Sequence, residues 1–314
     1  MHAVLAKWGL PSDQAELHQI APRVWRVEAG SKVYLLKHRS DHSSVWAEFK
    51  LLNYLSEQGL PVFPPLLSDE EAPWARWEGR IYVLYPYIAG VSGEGVCPTD
   101  LARARSLGRF LARLHSALAQ YPYAEEFPDK NVFQEVATWA WPTVRRGFRN
   151  ELAGRLEDIA KKLSQFATLY ESLPRQLIHR DAHPANVVFE GDEVVGMVDF
   201  DMVRTGVRIF DVCYCATAVL SGSFTQGPAR EHWDLFVQEL LRGYVEVQPL
   251  TRSEGYAFMY VTFLIQALFA AYFLDMGQDA LAEQNVAMLK WLCDRQTVME
   301  PLIDRVIKSK EDVQ

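Results

Sequence analysis

The sequence predicts an α+β chain, with strands gathered at the front and helices filling the rest. Two observations carry this. Through the first eighty-odd residues, β-branched and aromatic residues recur at strand spacing around turn-like clusters, with one helical stretch among them. Beyond the Tyr85-Pro86-Tyr87 step the apolar period lengthens to that of a helix, and helices are expected through 131–172 and from about 230 to 309. One further hairpin is expected over NVVFEGDEVVGMVDF, residues 186–200, with Gly191-Asp192 as its turn.

The elements follow in order. VWRVEAGSKVYLLKHR, residues 24–39, reads as two strands around the turn-like Glu28-Ala29-Gly30-Ser31. In the second strand Val33, Leu35 and Lys37 share one face, which directs Lys37 into a cleft and makes it a candidate for binding phosphates. Ser43 or Ser44 is expected to cap a helix that runs to about Gln58 and stops at Gly59. Its apolar stripe of Val45, Phe49, Leu52 and Leu55 carries Glu48 on the buried side, where a carboxylate needs a partner. Lys37 is the available cation. A strand over Ile81–Tyr85 then runs into Pro86, Tyr87 and Ile88 before a break at Gly90. TDLARARSLGRFLARLHSALAQ, residues 99–120, is helical, with Leu107, Leu111, Leu114 and Leu118 on one face and His115 as a packing residue.

Composition narrows the function classes. The 314 residues are 49% hydrophobic and 12% aromatic, enough for one large domain or two lobes with a substantial core. A formal net charge of −8 argues against nonspecific nucleic-acid binding and leaves room for a cationic substrate. Cys97, Cys213, Cys215 and Cys293 show neither metal spacing nor a disulfide framework, so a reducing, cytoplasmic setting is expected. The opening MHAVLAKWGLPSDQ has no signal-peptide pattern. Residues 256–274 carry no charge over nineteen positions, which is long enough to span a bilayer. Thr262 and Gln266 within it, and the absence of flanking Lys or Arg clusters, favour a buried helix and no membrane partner.

The chemistry concentrates in HRDAHPANVV, residues 179–188. Asp181 stands five positions ahead of Asn186, and Asp199 follows thirteen residues after Asn186 in VVGMVDFD. Phosphoryl transfer from a nucleotide needs a base beside the acceptor hydroxyl and oxygen ligands for magnesium. If Glu190 faces Glu193 across the hairpin, Asn186 lies opposite Met197 and Asp199 one pair further along. Both then project from one face, as a shared metal requires.

HRDAHPANVVF followed by VDFD, together with LGRFLARLH, resembles the aminoglycoside phosphotransferase and choline kinase-like family, whose members are relatives of protein kinases. The resemblance covers roughly residues 20–220. It implies a two-lobed protein-kinase-like fold, with a small sheet-plus-helix N-terminal lobe over 1–88 and a larger, mainly helical lobe over 89–314. It makes Asp181 the catalytic base, and Asn186 and Asp199 the magnesium ligands. Lys37 paired with Glu48 would hold the phosphates of ATP. The hinge of Pro86, Tyr87 and Ile88 would hold adenine through the Pro86 carbonyl and the Ile88 N–H. His179 supports the loop in this resemblance. His183 either contacts the transferred phosphate or acceptor, or orients Asp181. Asp211 either braces the loop or caps a helix, and Asp201 is a possible auxiliary metal neighbour.

Two departures accompany the resemblance. The turn in QIAPRVWRV has no glycine, and Arg180 stands where the family commonly has one. Asp-Phe-Gly and Ala-Pro-Glu signatures are lacking, and only eleven residues separate Asp199 from Asp211, too few for a regulated peptide-docking loop. The expected function is ATP-dependent phosphorylation of a hydroxyl on a small molecule: an aminoglycoside, a choline-like alcohol, homoserine or a sugar-like alcohol. The alternatives are a bacterial protein Ser/Thr kinase and a non-catalytic, spore-coat-type binding protein. Trp139 and Trp141, with Glu125, Glu126, Asp129 and Glu135 nearby, suggest an acceptor carrying an amine or quaternary ammonium. A monomer or homodimer is expected.

Overall fold

The alternation read in residues 24–39 becomes two antiparallel strands, β2 (Val24–Ala29) and β3 (Lys32–Arg39), flanked by β1 (Glu16–Ala21), β4 (Ala75–Trp77) and β5 (Arg80–Pro86). In the computed structural model, which describes residues 2–11, 13–149 and 154–308, the chain divides into two compact units. The first comprises 1–91 with 195–201, and the second 92–194 with 202–314. The boundary expected at 88/89 thus falls at 91, and a short stretch from later in the chain returns to the first unit.

In the first unit the five strands run β1-β2-β3-β5-β4, all neighbours antiparallel. Lys37 on the central β3 pairs with Val24 on one side and Val83 on the other. Val27, Leu36, Tyr82 and Leu84 bury one face of the sheet against Val4 and Leu5 of the short α1 (His2–Leu5). The turn from β1 to β2 closes without glycine by placing Arg23 at φ 64°, in the left-handed region that costs a side-chain-bearing residue roughly 1 kcal/mol. Helix α2 runs His42–Glu57 and is capped by Asp41, whose carboxylate accepts from Ser43 N (3.1 Å) and Ser44 N (2.9 Å). The serines expected as caps are therefore donors of the first turn, because the carboxylate ahead of them is the stronger acceptor. Gly59, at φ 75°, ends the segment as expected.

The second unit begins in the short strand β6 (Val91–Ser92) and continues into α3 (Leu101–Leu118), whose Leu107, Leu111, Leu114 and Leu118 are all buried. Then follow α4 (Val132–Glu135), a π-helical turn, α5 (Trp141–Gly147) and α6 (Leu156–Glu171). Positions 150–153, within the expected helical run, lie outside the described residues, as does 309. Two four-residue strands that the sequence reading did not foresee, β7 (Arg175–Ile178) and β10 (Arg204–Val207), pair antiparallel with Ile178 opposite Arg204. Four residues are too few for a period to show. The expected hairpin appears as β8 (Val187–Glu190) and β9 (Glu193–Met197), in a sheet ordered β6-β8-β9 with Gly191 at φ 59° in the turn.

Four long helices complete the unit: α7 (Ile209–Ser223), α8 (Trp233–Val247), α9 (Arg252–Asp275) and α10 (Asp279–Lys308). The apolar stretch is α9, opened by a capping box in which the Thr251 hydroxyl accepts from Glu254 N and the Glu254 carboxylate accepts from Thr251 N (2.8 Å). Although α9 is long and apolar enough to cross a membrane, 72% of its most apolar window is buried within the protein. That matches the expected core helix.

Candidate active site

Strand alternation brings Leu35, Lys37 and Arg39 to one face of β3, and this decides the electrostatics of the first unit. Lys37 Nζ lies 3.1 Å from Asp199 Oδ1. Glu48, only 3% exposed, accepts from Arg39 Nη1 (2.7 Å) and from the Tyr85 hydroxyl (2.9 Å). The expected Lys37–Glu48 ion pair is therefore replaced by Arg39–Glu48, with Lys37 turned to Asp199. Arg39 shares the face of Lys37 two residues later, and its guanidinium also reaches Asp201. Burial, then the nearby Glu48, pushes the Asp201 carboxyl up to about 7 against the pull of Arg39.

Lys37, Glu48, Pro86, Ile88 and Asp199 line one pocket, with Leu35 and Phe63. Its open volume is about 30 Å³, and Phe63, 41% exposed, stands in its wall. Tyr87 is not part of the lining. Its N–H donates to Val33 O (3.2 Å), and its ring lies 5.6 Å from the Arg26 guanidinium. Asp199 itself sits at φ 67°, a strained conformation of the kind found at functional positions.

In the second unit, β7 leads directly into the loop that carries Asp181. Its first two amides, His179 N and Arg180 N, donate to the two oxygens of Asp211 at 2.8 Å each. His115 Nε2 lies 3.1 Å from the same carboxylate, and His115 Nδ1 lies 2.8 Å from the Tyr244 hydroxyl. Asp211 and His115 are wholly buried. Of the two readings of Asp211, the brace is the one observed: the α7 N-cap is Arg208, and the Asp211 oxygens are engaged by the loop. Arg180 has φ 65°, which accounts for a glycine preference at this position. Its side chain pairs with Glu135 (2.9 Å) and stacks over Phe210 (5.1 Å).

Asp181 is held on both oxygens. Oδ1 accepts from the Tyr214 hydroxyl (3.0 Å), Oδ2 accepts from Asn186 Nδ2 (3.0 Å), and His183 Nε2 is 3.6 Å from Oδ2. Burial alone would raise the carboxyl, but His183 and Tyr214 more than offset it, and the pKa falls to about 2. The Asn186 amide nitrogen also donates to the Asp181 carbonyl (3.0 Å), which leaves its Oδ1 as the atom without a hydrogen bond among the described residues. Beside Asp181 opens a cavity of about 420 Å³, walled by Trp139, Phe210, Phe269 and Tyr272 and edged by Glu135, Arg180 and Arg204. A second cavity, about 210 Å³, lies against His183, Tyr214 and Gln266.

Residues 16–253, well over half of the chain, match the phosphotransferase enzyme family. The chain belongs to that family. Homoserine kinase of Brucella melitensis biotype 2 is 28% identical over 218 residues, covering 67% of this chain and 61% of the relative. The Brucella canis homoserine kinase is likewise 28% identical, over 214 residues covering 65% and 60%. The chain thus spans about 61% of the length of the curated relatives it matches. Among solved structures, an aminoglycoside phosphotransferase from Alicyclobacillus acidocaldarius superposes with a TM-score of 0.74 at 15% identity, covering 98% of this chain and 96% of that one. A microcompartment-associated aminopropanol kinase gives 0.66 at 15% identity, with 97% of both chains covered. An amicoumacin kinase in complex with AMP-PNP and Ca²⁺ gives 0.66 at 18% identity, covering 96% and 93%. The fold is therefore kinase-like.

Three participants were not anticipated: Arg39, Tyr85 and Tyr214. Arg39 had a signal, since it continues the Leu35-Lys37 face. Tyr214 stands three residues after Asp211 on the same helix, a signal that acquires meaning only once Asp211 is known to face the loop.

Proposed function

We propose that this protein transfers the terminal phosphoryl group of ATP to a hydroxyl of a small molecule. The observation that carries this is Asp181: an ionised carboxylate held on both oxygens, on a loop braced by Asp211, at the edge of a 420 Å³ cavity. The acceptor oxygen would attack the terminal phosphorus as the bond to the leaving ADP oxygen breaks, and the hydroxyl proton would pass to Asp181. A carboxylate with a pKa near 2 is a weak base. Its first task is then to orient the hydroxyl, with proton transfer late, as suits a loose transition state with little bond formation to the nucleophile. Lys37 would neutralise phosphate charge, while Pro86 and Ile88 would face the base.

The donor set suits a hard cation. The resemblance assigns magnesium to Asn186 and Asp199, and each offers a fitting atom: Asn186 Oδ1 is the amide's unengaged atom among the described residues, and Asp199 would bring carboxylate oxygens. Magnesium supplies charge neutralisation on the phosphates. For the acceptor, the aromatic walls of Trp139, Phe269 and Tyr272 suit an ammonium carried beside the reacting hydroxyl. The relatives' names point the same way, since homoserine, aminopropanol and aminoglycosides all combine amines with hydroxyls. With ATP as donor, the cytoplasm is the fitting compartment.

The test is ADP release with ATP and magnesium over a panel of aminoglycosides, amino alcohols and matched neutral alcohols. Turnover with amino alcohols is the expected result. Phosphate transfer only to protein substrates, or failure to bind ATP in the presence of magnesium, would overturn the reading.

A further inference from the structure

Arg204 is the cation of the Asp181 cavity that has no ion-pair or hydrogen-bond partner among the described residues. It opens β10 opposite Ile178, and its Nε is shut off from solvent without an acceptor. The other two bases of the cavity, Lys130 and Arg180, both reach the carboxylate of Glu135, at 3.3 and 2.9 Å. One acid therefore serves two cations, and Arg204 adds a third positive charge. Burial, then the neighbouring Arg180, works against its protonated state, and Glu135, already engaged by Lys130 and Arg180, offsets them only in part.

An unpaired, half-buried guanidinium beside a second one lowers stability. Such an arrangement is maintained where a ligand brings the missing counter-charge, in the way strain is kept at functional sites. An acceptor whose only charge is an ammonium would meet repulsion here. Arginine's planar fork instead matches a carboxylate or phosphate through paired N–H donors.

We infer that Arg204 binds an anionic group, a carboxylate or a phosphate ester, on the same small molecule whose hydroxyl meets Asp181. The ligand's role as acceptor rests on the kinase reading, but the anion site does not. With the ammonium suggested by the aromatic walls, the acceptor class becomes a hydroxylated amino acid or another zwitterionic alcohol.

The experiment has two arms. In the first, sodium sulfate is titrated against sodium chloride at equal ionic strength while thermal unfolding is followed. The wild type should gain stability saturably with sulfate. Arg204→Met should lose that response, unfold in chloride at the same or a higher temperature, and be partly rescued by Arg204→Lys. In the second arm, ADP release is compared for homoserine and 3-aminopropan-1-ol, which differ by a carboxylate, and for glycerol phosphate and glycerol. The acid-bearing member of a pair should be preferred at least tenfold, and Arg204→Met should erase the preference without changing the KM for ATP. The two pairs separate carboxylate from phosphate. A sulfate response equal in wild type and Arg204→Met, a lower unfolding temperature of Arg204→Met in chloride, or a preference for the neutral or purely cationic member would overturn the inference. A sulfate response that depends on Arg204, with no turnover of any acceptor, supports the anion site and counts against the kinase reading.

Discussion

Asp181 takes its character from its neighbours rather than from its own chemistry. Tyr214 and Asn186 occupy one oxygen each, so the carboxylate stays ionised and fixed. Asp181→Asn keeps the shape but removes the proton acceptor. Turnover should fall about a hundredfold to ten-thousandfold while the Kd for ATP changes little, as measured by ADP release and calorimetry. Asp199→Ala should weaken magnesium-dependent nucleotide binding more than Asn186→Ala, because a charged oxygen is the stronger ligand for a hard cation. Intact magnesium dependence in the Asp199 variant would remove that residue from the metal site. Asp181, Asn186 and Asp199 stand out in the sequence as candidates because their spacing is local. Asn186, however, lies in the 3-10 turn before β8 and Asp199 past the end of β9, so the strand alternation expected to align those two stops short of both. The buried Glu48 was legible as a carboxylate in need of a partner, but its partner was not. Alternation gives Lys37 and Arg39 the same face, and only the three-dimensional path decides which one comes within 2.7 Å.

Among the elements, packing of α3 on α8 supports the Asp181 loop from behind, since α3 carries His115 and α8 carries Tyr244. Two glycines set that approach. A Cβ on Gly108 would stand 2.0 Å from Leu240 O, and one on Gly243 would stand 2.0 Å from Arg105 O. Backbone cannot swing aside as a side-chain tip can. Gly108→Ala should therefore force the helices apart and destabilise by more than about 2 kcal/mol, with a loss of turnover as His115 shifts relative to Asp211. Gly222→Ala in α7 is the control: nothing lies within 4 Å of its Cβ, so alanine should be neutral or stabilise by up to about 1 kcal/mol. Urea denaturation of both variants checks the pair. Helix periodicity made α3 visible, down to its buried leucines. The glycine contacts were not visible, since in sequence an interior glycine marks a weak point without saying what approaches it.

For the whole molecule, the two units carry carboxyls displaced in opposite directions, and each adds its own pH dependence to folding. Asp181 in the second unit is lowered to about 2, so its contribution is present above the ordinary carboxyl pKa and lost as pH falls through 2. Asp201 in the first unit is raised to about 7. The folded chain holds a proton there that the unfolded chain has released, so this contribution is complete below about 4 and disappears as pH rises through 7. Between those limits both terms favour the fold, and stability should peak on the acid side of neutrality. Asp201→Asn removes the second dependence without removing the side chain's size. From pH 5 to 8.5 the wild type should lose roughly 1 kcal/mol relative to Asp201→Asn, well below the full linkage value because the Asp201 side chain, 35% exposed, is screened by water. Urea midpoints at pH 5, 7 and 8.5 measure this. Parallel curves for the two proteins would mean that Arg39 holds Asp201 ionised throughout, and that the Arg39–Glu48–Asp201 cluster carries one more negative charge than its burial suggests.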